Sequence, residues 1–459
     1  MHLGAIDTAI VAAYFLLLVV LTLRARRGDR SSAEEFLLAG RRLTGPAFVA
    51  TLVSTWYGSI LAVGEYSYLY GISNWLVFGV PYYLAALLFA FFLAGRARRS
   101  AVLTIPDQLE KTYGRKVAIV GTVVVFIITV PAAYILMLGE LLQWFLGGST
   151  LIWMIAGGGF SLLYVLHGGF RNVVRTDLPQ FILMYLGFII LLGMAFHEYG
   201  GFSYLKANLP ESHLSPNGGL GWAAVLVWYF IALQTLIEPT FYQRCYAAKS
   251  EAVARGGLIV SVGFWLVFDL LTTFSGLYAR AILGDNSEAM LSYPLLAEKI
   301  LPVGLLGLFF VSLLSVVMST VDSYLLLAGQ TLGHDLWRRL KRRDKSEVSV
   351  PATRVGLVIA LALAIAIAVW KQSAIAIFHD LGSIATPVLL IPMIASLYRK
   401  HPLPRAHVLF SMLLCGSVTL IWTTLGSYGS GYPLNIHPIY IGLGLSALAL
   451  APALLRSRR

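Results

Sequence analysis

Ser54-Thr55-Trp56-Tyr57-Gly58-Ser59-Ile60-Leu61-Ala62-Val63-Gly64-Glu65 interrupts an otherwise apolar segment running from 45 to 70. Hydroxyls, two glycines and a carboxylate fall at mid-depth of a stretch long enough to cross a bilayer. In hydrocarbon every backbone N–H and C=O must be satisfied by the chain itself. A helix broken at membrane depth therefore persists only where the freed backbone is buried in protein or lines a cavity. A second apolar segment, 221 to 242, is interrupted in the same manner by Gln234, Thr235, Glu238 and Pro239. The bland reading of the first stretch is a polar helix interface, where Ser, Thr and Gly allow close packing.

Composition says what surrounds these breaks. Of 459 residues, 58% are hydrophobic and 12% charged, more apolar surface than a water-soluble domain can hide. Apolar stretches of roughly 18 to 30 residues recur, each able to cross a ~30 Å core at ~1.5 Å per residue. Thirteen spans are expected, at 5 to 24, 45 to 70, 74 to 95, 117 to 146, 150 to 167, 177 to 198, 221 to 242, 252 to 279, 300 to 332, 354 to 370, 374 to 397, 406 to 424 and 436 to 455. No Pro-, Ser- or charge-rich linker separates them, so one membrane domain without a soluble output domain is expected.

The net charge of +12 raises nucleic acid as a partner, and the positions of the 34 Lys and Arg argue against it. Alternate loops hold 30 of them, while Lys206, Arg280, Lys299 and Lys371 fall on the other side. By the positive-inside rule this predicts a multi-pass protein of the cytoplasmic (inner) membrane, amino terminus outside and carboxyl terminus in the cytoplasm. The amino-terminal side of the first span carries Asp7 and no Lys or Arg, and the cluster Arg24, Arg26 and Arg27 follows it, the reverse of a secretory signal. Cys245 and Cys415 are too few and too far apart for a disulfide framework or metal cluster.

The two interrupted spans are five apart, so they hold equivalent places in a five-plus-five arrangement of opposite orientation. Such paired discontinuous helices at the midplane are where secondary transporters bind solute and ion. In the ninth span Met318-Ser319-Thr320-Val321-Asp322-Ser323 puts four oxygen-bearing side chains into an apolar helix, a costly choice without partners. Ser319, Asp322 and Ser323 share a face. Hydroxyls, carbonyls and one carboxylate suit a hard monovalent cation, and no His or Cys cluster points to a transition metal. Hydroxyls bonding back to the preceding turn explain the Ser and Thr but not Asp322. Gly168-Gly169-Phe170-Arg171-Asn172-Val173-Val174-Arg175-Thr176-Asp177-Leu178-Pro179-Gln180, at the cytoplasmic start of the sixth span, carries Asp177 into the membrane. There it completes an ion site or pairs with a neighbouring Arg.

Four blocks together resemble the sodium/solute symporter family, which includes the bacterial proline, pantothenate, sialic acid and galactose symporters. They are Ile6-Asp7 with Phe36-Leu37-Leu38-Ala39-Gly40-Arg41-Arg42-Leu43, the segment Gly168 to Gln180, Gln243-Arg244-Cys245-Tyr246-Ala247-Ala248-Lys249, and Met318 to Ser323. The resemblance implies an all-α LeuT-type fold of about 13 helices, an inverted repeat with one extra N-terminal and two extra C-terminal helices. The chain 1–459 then divides into a first helix and basic loop (1–44), two repeats (45–200 and 218–400) and two closing helices (401–459). It also implies a sodium site formed by carbonyls of Ser54, Tyr57 and Val316 with the hydroxyls of Ser319 and Thr320. A further sodium site near the cytoplasm, present in some relatives, would use Asp177, Ser319, Asp322 and Ser323.

The implied activity is sodium-coupled import of a small polar organic solute by alternating access, with no covalent chemistry. Many relatives have two more residues between the equivalents of Trp56 and Gly64, so solute contacts are read here from depth and position. They are Trp56, Ser59, Glu65, Glu140 and Gln234, with Trp228 and Tyr229 as aromatic walls. Glu65 and Glu140 are intramembrane acids, which default to a functional reading and favour a cationic or hydrogen-bond-donating solute over an anion. Expected partners are the solute, sodium and the lipid bilayer, with neither nucleic acid nor an obligatory protein partner. Two rivals stay open: a proton-coupled transporter of the same fold, and a solute sensor without turnover. An enzyme is the weakest candidate, for want of a nucleophile–base pair.

Overall fold

A spanning helix that carries hydroxyls and a carboxylate cannot turn them to lipid and belongs at the centre of the molecule. The computed structural model, which describes residues 4–24, 33–285, 287–341, 350–372, 374–399, 401–428 and 432–456, places such a helix at Leu305–Gln330, with all side chains from Phe309 onward buried. Numbered along the chain, the main helices are α1 (Ala5–Leu23), α2 (Gly45–Trp56), α3 (Ile60–Tyr70), α4 (Trp75–Ser100), α5 (Ile105–Tyr113), α6 (Arg115–Thr129), α7 (Ala132–Leu146) and α8 (Thr150–Tyr199). There follow α9 (Trp222–Ile231), α10 (Pro239–Ala247), α11 (Glu251–Leu283), α12 (Leu305–Gln330), α13 (Val350–Lys371), α14 (Ala374–Tyr398), α15 (Arg405–Tyr428) and α16 (Pro438–Arg456). Helices α1, α2, α7, α8 and α13 pack around α12. The buried carboxylate of Asp7 caps the start of α12, its Oδ1 accepting from the amides of Gly304 (2.7 Å) and Gly307 (2.8 Å).

Among the described residues ten helical stretches are long and apolar enough to cross a membrane, eleven when α2 and α3 count as one span bent by 58°. Helix α8 has 50 residues, about 75 Å at ~1.5 Å per residue, more than two crossings of a ~30 Å core. It folds at Gly169, where φ 55° and ψ −144° leave the helical region. A side chain there would strike the Phe36 carbonyl, so only glycine fits. The spans expected at 150 to 167 and 177 to 198 lie in α8 on either side of this break, and Gly382–Tyr398 is a shorter apolar stretch.

The four blocks that carry the family resemblance meet in space. Glu35 pairs with Arg171, the Gln243 amide donates to the Leu37 carbonyl (3.4 Å), and Leu43 exchanges backbone hydrogen bonds with Ala247 (3.0 Å) and Lys249 (2.9 Å). Arg244 in turn reaches Ser323 of α12 (2.7 Å). Of the basic residues behind the expected orientation, Arg26, Arg27, Arg30, Arg342, Arg343, Lys345, Lys400, Arg458 and Arg459 lie outside the described residues. Arg244, counted from sequence with a cytoplasmic loop, is instead fully buried, because α10 folds inward between α2, α11 and α12.

Candidate functional site

Helix α2 stops at Trp56, Tyr57 and Ser59 take non-helical backbone angles, and α3 restarts at Ile60. The last four carbonyls of a helix lack intrahelical partners, so this break frees acceptors in a dry interior. Two hydroxyls of α12 meet them. Ser319 Oγ lies 2.7 Å from the Ser54 carbonyl and 2.9 Å from that of Val316. Thr320 Oγ1 lies 2.8 Å from the Thr55 carbonyl and 3.2 Å from that of Val316. Ser54, Val316, Ser319 and Thr320 are completely buried. Gly58 makes this approach possible, since a Cβ there would run into the Thr320 side chain. Of the expected ligand residues, Ser54, Val316, Ser319 and Thr320 are thus brought together, and the Thr55 carbonyl, which the sequence reading did not name, joins them. The Tyr57 hydroxyl donates to the Trp265 carbonyl (2.9 Å). An all-oxygen set of carbonyls and hydroxyls suits sodium and offers nothing to a soft metal.

Beside it lies a buried charge cluster. Asp177 accepts from the Thr51 hydroxyl and stands 3.9 Å from the Arg244 guanidinium. Arg244 also donates to Thr51 (3.0 Å), Thr55 (2.9 Å) and Ser323 (2.7 Å). Asp322 points the other way, accepting from the Tyr164 hydroxyl. Asp177 Oδ1 and Asp322 Oδ1 are buried without a hydrogen-bond partner. Of the residues suggested for a second sodium, Asp177 and Ser323 thus face a guanidinium, Asp322 a tyrosine, and Ser319 the carbonyls of Ser54 and Val316.

On the other side of the break is a cavity of about 150 Å³, roughly ten times the space a single water needs. Trp56, Ser59, Trp228 and Gln234 line it, as expected. Glu65, Glu140 and Tyr229 do not. The sequence reading missed Tyr82, Tyr134, Glu238, Asp269 and Tyr324 as lining residues. Glu238 lies there because the seventh span is broken as expected: a 3-10 turn, Ala232–Ile237, ends at an extended Glu238, and Pro239 opens α10. Its Oε1 caps that helix, accepting from the Thr240 amide (3.3 Å) and hydroxyl (3.2 Å), and from the Tyr324 hydroxyl (3.1 Å).

The sequence pattern of the sodium:solute symporter family matches residues 36–403, most of the chain. The chain belongs to the sodium:solute symporter family. It is 25% identical over 456 residues to the sodium/pantothenate symporter of Escherichia coli (strain K12), covering 92% of this chain and 90% of that one. It is also 25% identical to sodium/glucose cotransporter 2 of Rattus norvegicus, across 85% of this chain and 67% of that one. A Na+-coupled sialic acid symporter, solved in a substrate-bound outward-open state, superposes with a TM-score of 0.82 over 98% of both chains at 16% identity. The fold is LeuT-type, the protein is a multi-pass membrane symporter, and its coupling ion is sodium.

Among the described residues, one further group resembles a metal site. Ligand atoms of Asp107, His334 and Asp335 lie within 4.8 Å of one another, a cluster that sequence spacing did not reveal. Their carboxylates are already engaged: Arg338 and Arg339 reach Asp107 Oδ1 at 2.8 and 2.7 Å, and Arg339 reaches Asp335 at 2.8 Å. Burial raises the Asp107 pKa, but His334, Arg339 and Arg338 outweigh it and hold the carboxyl below its ordinary range. The group is an ion-pair clasp between α5 and the extension of α12 rather than a vacant metal site.

Proposed function

We propose that this symporter imports a small organic solute with sodium by alternating access, from an orientation with the amino terminus outside. The observation that carries the reading is the fully buried meeting of the Ser319 and Thr320 hydroxyls with carbonyls freed by the α2–α3 break. Sodium held by Ser54, Val316, Ser319 and Thr320, with the neighbouring carbonyls of Thr55 and Tyr57, ties α2 to α12. That tie favours the outward-open arrangement, and the solute binds in the adjoining cavity. Closing outside and opening inside then exposes the ion to low cytoplasmic sodium. Each charge crossing ~100 mV contributes about 2.3 kcal/mol. We read 45–200 and 218–400 as the two repeats that rock against each other.

Arg244 argues for a single sodium. A guanidinium already bonded to Ser323 and facing Asp177 supplies positive charge where a second ion would sit. The test is sodium-dependent uptake in proteoliposomes and a sodium-induced thermal shift. Thr320→Ala should raise the sodium concentration for half-maximal effect by roughly tenfold, equivalent to about 1.4 kcal/mol, with expression intact. Unchanged sodium activation would remove Thr320 from the site.

A further inference from the structure

We propose that the solute is a small organic cation, an alkylammonium, whose charged nitrogen sits between Glu238 and Asp269 inside an aromatic wall. The inference rests on reading the cavity beside the broken helices as the solute site. Two of the fifteen residues lining that cavity are carboxylates, and none is Lys, Arg or His. Both are inner groups, Glu238 and Asp269 each being 3% exposed. The bonds to Glu238 from Thr240 and Tyr324 all fall on Oε1, and Asp269 Oδ2 accepts from Tyr83. Arg244, close in sequence to Glu238, does not line the cavity and is committed to Thr51, Thr55, Ser323 and the Asp177 side.

The remaining wall has the matching chemistry. Seven of the fifteen lining residues are aromatic. Six of them form three ring pairs: Trp56–Tyr82 at 5.7 Å between centroids, Phe78–Trp228 at 4.7 Å and Tyr134–Tyr324 at 4.9 Å. Aromatic faces attract a cation electrostatically and need no N–H in return, so alkylated ammonium groups are their usual guests. Outside the two acids, the polar side chains on the wall are Ser59, Gln234 and Thr235 with tyrosine hydroxyls. An anionic solute would bring its charge against two buried carboxylates with no opposing Lys, Arg or His among the described residues of the wall, and like charge brought close rejects such a partner.

The test uses purified protein in sodium or potassium chloride, read by thermal shift and by tryptophan fluorescence from Trp56 and Trp228. The probes are choline, tetramethylammonium, the neutral carbon isostere 3,3-dimethyl-1-butanol, and pantothenate as an anion. Choline and tetramethylammonium should bind more tightly in sodium, and the isostere at least tenfold more weakly than choline. Glu238→Gln and Asp269→Asn should each weaken choline at least tenfold while the shift produced by sodium alone persists. If the isostere or pantothenate binds as well as choline, or neither cation binds at millimolar concentration while sodium still stabilises the protein, the proposal is overturned and the symporter reading stands. If sodium alone has no effect on stability or fluorescence, the site reading falls and the proposal with it. Should either variant misfold, the wild-type ranking of choline against its isostere decides.

Discussion

At the scale of single residues, the proposed cation pocket depends on an atom that is missing. Gly58 lies so close to Thr320 that any Cβ would overlap a β-branched side chain, which has little freedom to turn aside. Gly58→Ala must therefore push the α2–α3 turn away from α12 and part the Ser54 and Thr55 carbonyls from the Ser319 and Thr320 hydroxyls. Overpacking of this kind typically costs ~1–3 kcal/mol, so sodium affinity should fall by roughly tenfold or more and the sodium-induced thermal shift should shrink. A Gly58→Ala protein with wild-type sodium dependence would mean that the turn does not shape the site. Arg244 illustrates the converse, a group whose presence matters because it is costly to bury. Its hydrogen bonds to Thr51, Thr55 and Ser323 tie α2, α10 and α12 at one point. These bonds offset the cost of burying the charge, although Arg244 Nε has no hydrogen-bond partner among the described residues.

At the scale of elements, both broken spans were legible because their causes are local. Hydroxyls and glycine at 54–59 offer the backbone alternatives to a helix, and Glu238 before Pro239 ends one helix and caps the next. What was not legible was which helix faces which. Tyr82, Tyr134 and Asp269 enter the cavity from three other helices, and one sequence does not reveal their neighbours. Tyr324 was within reach, since it lies one turn beyond Thr320 on the same face. Glu65 and Glu140 have the composition of solute contacts, yet their helices turn them away from the cavity. The connection before α9 was equally opaque as a sequence, and it is clasped to the end of α3. The Ile72 amide donates to the His213 carbonyl (2.8 Å), and His213 Nε2 lies 2.9 Å from the Tyr68 carbonyl. Burial, aided by Arg280, lowers the His213 pKa from its ordinary 6.5 against the opposing pull of the Tyr68 carbonyl and Asp285. The folded clasp thus binds fewer protons than the open chain, so its stability is complete above about pH 6.5 and is lost as pH falls through the lowered value. Hydrogen exchange at the Ile72 amide, corrected for the intrinsic rate, should be faster at pH 5 than at pH 7.5. Opening that is independent of pH over this range would discount His213 as the latch.

At the scale of the whole molecule, charge and burial divide the work of orientation. The asymmetry of Lys and Arg is carried by loops, and it survives the removal of Arg244 to the interior, because most of the remaining cations still lie on the one side. The ion-pair clasp of Asp107, Glu110, Arg338 and Arg339 sits on that same side and joins α5 to the extension of α12. The opposite face carries loops such as 201–221, which hold a single Lys. Two surface positions make the proposed orientation measurable: Glu211 in the loop 201–221 and Lys111 in α5 are both exposed. The native Cys245 and Cys415 are buried and should give little background with a membrane-impermeant maleimide. In intact cells Glu211→Cys should be labelled and Lys111→Cys should not, while permeabilised cells should label both. The reverse pattern would invert the orientation. Net uptake would still follow the sodium gradient, because the gradients set the direction of coupled symport whichever way the chain is inserted.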